Sequence, residues 1–178
     1  RGYDVRFFDA MLAAGVEEFE LLLDEVRPGI VGILEDNFNF LTKMCTTVRR
    51  ETALKMISLA RDHGCKVAVN GPDAADYPAL YLEAGADAVI LGEGETTLLA
   101  LVDGWQGNGG EPGTIPGLIL AGQGLTGPYR AERNLDSLPH PAWDLLDIAA
   151  YRQAWLSAHG ELSWNMATSR GCPYDCNW

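Results

Sequence analysis

Between residue 3 and about residue 105 the chain alternates short apolar, β-branched runs with longer segments that carry an apolar residue every three or four positions. The short runs at 3–8, 29–34, 65–70 and 87–91 predict strands, and they are apolar enough to be covered on both faces. Val16, Phe19, Leu22, Leu23 and Val26 fall on one helical stripe over 16–26. Ala53, Met56, Ile57 and Ala60 fall on another, over 49–63, with Gly64 as its stop. Glu95, Thr96 and Thr97 lead into a last helix through Leu98, Leu99, Leu101 and Val102. This alternation predicts βαβ units, hence an α/β, doubly wound parallel sheet of Rossmann-like type over residues 1–106.

Beyond residue 104 the pattern breaks into glycine and proline. The run Gly107, Asn108, Gly109, Gly110, Glu111, Pro112, Gly113 reads as a linker. A small hairpin is expected around 121–124, and a proline-stiffened connector at 138–143. Residues 107–160 are therefore expected to be a spacer with a hairpin and a helix over 145–155. A strand at 163–168 then opens a second domain, 161–178.

Length and composition narrow the class. With 178 residues there is room for one α/β domain and part of another. The sequence is 47% apolar and 21% charged, as in ordinary globular chains, and no 18-residue apolar run predicts a membrane span. A formal net charge of -12 opposes nucleic-acid binding, which depends on Lys and Arg displacing counterions. Of the cysteines Cys45, Cys65, Cys172 and Cys176, only the last two are close, unlike a secreted disulfide scaffold, so a reducing cytoplasm is expected. The first residue is Arg1, and strand-like sequence follows at once, so the parent protein is expected to start upstream and no signal peptide can be read.

In open α/β sheets ligands sit beyond the carboxyl ends of the strands. Three such segments are distinctive here. Glu35, Asp36, Asn37, Phe38, Asn39, Phe40, Leu41 and Thr42 follow the second predicted strand; Asn70, Gly71, Pro72 and Asp73 the third; Gly92, Glu93, Gly94 and Glu95 the fourth. Any one of them could be an ordinary turn, but three together point to a shared rim. The last is no dinucleotide fingerprint, because Thr97 stands where GxGxxG needs a small residue, and its two carboxylates repel a pyrophosphate. Its glycines still let backbone approach a bulky uncharged ligand. A flavodoxin-like or response-regulator-like domain lacks support, since Asp9 stands alone after its predicted strand.

The last ten residues, Ser169, Arg170, Gly171, Cys172, Pro173, Tyr174, Asp175, Cys176, Asn177 and Trp178, carry the most specific spacing. A CxxxC alone also fits two buried thiols or half a zinc site, though no second close cysteine pair is present to complete a zinc site. Cys45, near a helix start, and Cys65, opening a strand, read as structural thiols. The loop resembles that of radical S-adenosylmethionine enzymes, whose CxxxCxxC has an aromatic residue before the third cysteine, here matched by Trp178. The preceding domain and spacer are similar to cobalamin-dependent members, on Gly71-Pro72-Asp73-Ala74, Gly85-Ala86-Asp87, Gly92-Glu93-Gly94-Glu95, Ile115-Pro116-Gly117 and Leu138-Pro139. Within that group the chain looks like relatives of the anaerobic magnesium-protoporphyrin ester cyclase and of radical carbon methylases.

That resemblance implies a cobalamin-binding domain, a linker and the start of a radical S-adenosylmethionine partial (β/α) barrel. It implies a 4Fe-4S cluster with Cys172 and Cys176 as ligands, the third cysteine lying beyond Trp178, and S-adenosylmethionine on the open iron. Cobalamin contacts carried over by position are Asp36, Asn37, Leu41 and Thr42, then Gly71 and Pro72, then Gly92, Glu93, Gly94 and Glu95. The implied reaction forms a 5'-deoxyadenosyl radical for methylation or oxidative cyclisation of an unactivated carbon of a small-molecule substrate. A flavodoxin or ferredoxin is the implied electron donor. The DxHxxG motif of many cobalamin domains is not visible around His63, His140 or His159, and His63 reads as a helix cap. The alternative is a non-catalytic cobalamin sensor or carrier whose cysteine pair is incidental.

Overall fold

In the computed structural model, which describes residues 2–35, 45–164 and 170, the chain divides into two units, Arg1–His140 and Pro141–Trp178. The first unit contains α1 (Val16–Val26), β1 (Ile30–Leu34), α2 (Thr46–Asp62), β2 (Lys66–Asn70), α3 (Pro72–Asp76), α4 (Pro78–Glu83), β3 (Ala88–Ile90), α5 (Glu95–Trp105), β4 (Leu118–Leu120) and β5 (Gly124–Leu125). The strands form one sheet in sequence order. β1, β2 and β3 are parallel, while β4 and β5 add antiparallel.

The alternation of side chains along the strands divides the core into two layers. Val31, Ile33, Val67, Val69 and Val89 point to one face, where Phe19 and Leu23 of α1, Met56 and Ile57 of α2, and Tyr81 of α4 cover them. Ala68, Ala88, Ile90, Leu118 and Leu120 point to the other face and pack on Leu101 of α5. Helices on both faces explain why β2 and β3 read as continuous apolar runs. At β1 the second face is thinly covered, and Leu34 is 73% exposed.

Three expectations are corrected. The first predicted strand, 3–8, is not a strand: Val5 and Phe7 are exposed, and the segment is held by side chains. Tyr3 donates its hydroxyl to Asp103 of α5, and the Phe8 ring meets Phe19 of α1 at 5.2 Å. The sheet is mixed rather than all parallel. The segment expected to be a spacer hairpin completes it, because β4 pairs directly with β3, Leu91 N donates to Gly117 O, and Thr126 Oγ1 closes the turn on Ile115 O at 2.6 Å. The segment after β2 holds two short helices, each started by a proline whose missing N–H costs nothing at a first helical position.

Among the described residues of the second unit, a 3-10 turn at Trp143–Leu145 precedes one α-helix, α6 (Ile148–His159), shifted from the expected 145–155. Asp147 sets its start by accepting the Ala150 N–H at 2.9 Å, and left-handed Gly160 ends it. Trp143 and Tyr151 both meet Trp164 edge-on, with centroids 5.9 and 5.6 Å away. The expected strand at 163–168 lies mostly outside the described residues. Of the expected barrel start, 161–178, the cysteine loop with Cys172, Cys176 and Trp178 lies outside them, so no radical S-adenosylmethionine barrel is described. Among the described residues no helix is long and apolar enough to cross a membrane.

Candidate functional site

The register aligns Leu34, Asn70 and Ile90 across the three parallel strands, so the segments that follow emerge side by side at one end of the sheet. Leu34, Glu35, Asn70, Gly71, Pro72, Ala75 and Gly92 line a cleft of about 280 Å³ there. A wider hollow of about 670 Å³ lies along Tyr129, Arg130, Ala131, Glu132 and Arg133, but one continuous segment makes it and it gathers no groups from separate elements. The cleft, at the carboxyl ends of the strands, is the site the topology supports.

Two positions of its lining admit no side chain. Gly71 has φ 155°, and a Cβ there would stand 2.1 Å from the carbonyl oxygen of Glu35. At Gly92 a Cβ would meet the ring of Tyr129 at 2.4 Å. The Asn70 side chain ties β2 to the neighbouring loop, donating to the carbonyls of Ile90 and Gly92 at 3.0 Å each.

Two acidic groups, Glu35 and Asp73, turn inward. Glu35 is buried, and its Oε2 accepts the Asp73 N–H at 3.1 Å, where the first turn of α3 leaves donors open. Asp73 is buried as well. It accepts Arg50 Nε and Nη2 at 2.6 and 2.5 Å and the Tyr81 hydroxyl at 2.7 Å. The Arg50 hydrogen bonds hold the Asp73 carboxyl below the usual carboxylate range against the opposing effect of burial, with Tyr81 adding to them. Burial, then the hydrogen bond to Asp73, raises the Tyr81 phenol above its ordinary value. The Arg50 guanidinium also stacks over Tyr77, 4.7 Å from the ring centroid. Glu93 Oε2 accepts the Glu132 N–H at 2.8 Å, fastening the β3 loop to the 129–133 segment.

Of the residues singled out from sequence, Gly71, Pro72 and Gly92 come together in the cleft. Gly94 packs under the Asn70 amide, Glu93 is directed to Glu132, and Glu95 opens α5. Asp36, Asn37, Leu41, Thr42, Cys172, Cys176 and Trp178 lie outside the described residues. Among the described residues no cluster of His, Cys, Asp and Glu is placed to hold a metal ion. Cys65 is buried against Pro28 O, with burial pushing its thiol up, and His63 caps α2. Sequence reasoning missed Arg50, Tyr81 and Tyr129, whose partners lie 23, 8 and 37 positions away. No local pattern announces such pairs.

Two curated proteins are similar to this chain. One, from Synechocystis sp., is named an uncharacterized methyltransferase and is 34% identical over 131 residues, covering 74% of this chain and 20% of that protein. The other, from Pyrococcus horikoshii, bears the same description and is 29% identical over 182 aligned positions, covering 98% of this chain and 36% of that protein. The chain thus spans a fifth to about a third of the length of these relatives. No family model and no solved structure matches it.

Proposed function

We propose that this chain supplies the cobalamin-binding part, and the first cluster ligands, of a cobalamin-dependent radical S-adenosylmethionine methyltransferase. The observation that carries the reading is the cleft, in which three register-aligned strand ends present Leu34, Gly71, Pro72, Ala75 and Gly92 beside Asn70, while the lining carboxylate of Glu35 accepts the Asp73 N–H. Such a lining fits the edge of a flat, bulky, largely uncharged ring with amide side chains. It is poorly suited to a polyphosphate, because Glu35 already occupies the donor at the start of α3. The residues present therefore fit a corrin. Gly71, Pro72 and Gly92 would lie against it, and Asn70 would keep the β3 loop from closing over it.

The names of both relatives favour methylation over cyclisation. Cobalamin, when bound, supplies the methyl-carrying chemistry, and the chain's part is to bind and orient it. Cys172 and Cys176 would provide two thiolates of the 4Fe-4S cluster, with Trp178 beside it, S-adenosylmethionine on the open iron and a flavodoxin or ferredoxin as reductant.

The test uses the full-length protein, purified anaerobically and reconstituted with iron, sulfide and hydroxocobalamin, with Cys172→Ala and Cys176→Ala alongside. The expected result is loss of cluster absorption and bound iron in both variants, with cobalamin retained. Unchanged iron would remove the radical reading and leave a cobalamin carrier. Failure of the unaltered protein to take up cobalamin would remove the corrin from this cleft.

A further inference from the structure

A partly buried ion pair that makes no part of the cleft's lining ties α2 to the start of α3 beside it. Arg50 sits in the first turns of α2, the helix that follows β1, and Asp73 is the second residue of α3, directly after Gly71 and Pro72. Two parallel N–H···O bonds at 2.6 and 2.5 Å join them, and a planar fork held at both prongs fixes orientation as well as distance. Tyr81 braces the same carboxylate from α4 at 2.7 Å, and Tyr77 lies against the guanidinium face. The backbone N–H of Asp73 is in turn held by Glu35 at the end of β1. Thus Glu35 and Gly71, which line the cleft from separate strands, are joined through a residue that Arg50 locks in place.

We infer that the Arg50–Asp73 pair is a positioning device for the cleft, holding the walls at the ends of β1 and β2 at a fixed separation so that a rigid, flat ligand meets contacts already formed. Both are positioning residues and neither touches the ligand. The assignment rests on the cobalamin reading for the identity of that ligand. Arg50→Lys keeps the charge and loses the fork, and Asp73→Asn keeps the shape and loses the charge. Each leaves the lining residues intact, so a drop in affinity reports lost preorganisation.

The experiment titrates the full-length protein with hydroxocobalamin, following the corrin absorption bands, for the unaltered chain, Arg50→Lys, Asp73→Asn and Leu101→Ala. The last removes core packing under α5, on the other sheet face, and serves as the control for stability. Amide hydrogen exchange over 70–77 is measured on the same samples. The expected result is an affinity about tenfold weaker in Arg50→Lys and Asp73→Asn, with faster exchange over 70–77, and little change of either in Leu101→Ala. Equal affinity in all four proteins overturns the inference, as does an equal loss in Leu101→Ala. If the unaltered protein takes up no hydroxocobalamin, the cobalamin reading fails separately and exchange decides. Faster exchange over 70–77 confined to the two pair variants upholds the positioning role, and unchanged exchange overturns it.

Discussion

Asp73, at the carboxyl end of β2, and Asp87, at the amino end of β3, each collect cationic donors, joined by a phenol at Asp73 and by a backbone N–H at Asp87, but in different surroundings. The side chain of Asp73 is 5% exposed and that of its partner Arg50 27%. Asp87 is 15% exposed, and its partners Lys66 and Arg61 are 53% and 54% exposed, at 2.8 and 3.2 Å. Around Asp73 the donors come from α2 and α4 and surround a carboxylate beside the cleft. Around Asp87 exposed surface side chains close over a strand entry, where the Val67 N–H donates to the carboxylate at 2.8 Å. Similar chemistry thus fixes a wall at one end of the sheet and merely decorates the other.

The largest expected effect tests that contrast. Asp73→Ala leaves a guanidinium fork and a buried phenol without their acceptor, and should cost about 3 kcal/mol, as when one member of a buried pair is removed. Asp87→Ala should cost about 1 kcal/mol, mostly for the Val67 bond, because exposed ion pairs contribute little. Urea unfolding of both variants measures the two losses, and equal losses would erase the distinction between the two ends.

A second comparison sets a crowded glycine against an open one. Gly71→Ala forces a Cβ into the Glu35 carbonyl at a φ that side chains rarely adopt, with an expected loss of about 2 to 3 kcal/mol. Gly64, at φ 79° after α2, has nothing within 4 Å of an added Cβ, so Gly64→Ala should lose only about 1 kcal/mol, the cost of the left-handed backbone. Thermal unfolding separates them. A Gly71→Ala as mild as Gly64→Ala would mean the strand-end backbone gives way easily.

Periodicity revealed what it physically encodes. The stripe at Val16, Phe19, Leu23 and Val26 matched α1 because burial against β1 and α2 requires that spacing, and the apolar runs marked β1, β2 and β3 to within a residue. It misjudged 3–8, since the same apolar, aromatic run serves a strand or a segment pinned by Tyr3 and Phe8, and pairing depends on a neighbour. The hairpin was legible as local structure but not as part of the sheet, because β4 finds β3 across thirty positions. At the site, the glycines were visible from their type. The groups that hold them, Arg50, Tyr81 and Tyr129, were not, as each is defined by a partner brought in through the fold.

Acid should weaken both ends. Burial pushes the Asp87 carboxyl up, yet hydrogen bonds from Lys66 and Val67, with the charges of Lys66 and Arg61, bring it net below its ordinary 3.8. Asp73 is lowered too, chiefly by Arg50. A folded value below the unfolded one means stability that is present above about pH 4 and is lost as the pH falls through the folded value. Relative to the unaltered protein, Asp73→Asn and Asp87→Asn should therefore both flatten the decline in urea midpoint as the pH falls from 5 to 3. An unaltered decline in both would mean other carboxylates govern acid unfolding.

The smallest effect belongs to His63, far from the cleft at the end of α2. Its Nδ1 lies 2.7 Å from Leu59 O and its Nε2 3.2 Å from Asp24, and the hydrogen bond to Leu59, then Asp24 and the nearby Glu20, raise it above 6.5 against a smaller effect of desolvation. Protonated, it donates to both partners and adds positive charge at a helix carboxyl terminus. Because the folded value exceeds the unfolded one, this contribution is complete below about pH 6.5 and disappears as the pH rises through the folded value. His63→Gln, which can still donate to Leu59 O but carries no charge, should remove a slight fall in melting temperature between pH 6 and pH 8. The cleft should not register the change, so hydroxocobalamin affinity in that variant should keep whatever pH dependence the unaltered protein shows. A changed affinity profile would mean that α2 transmits the state of its carboxyl end to Arg50 near its start, and that the two ends of the sheet are coupled.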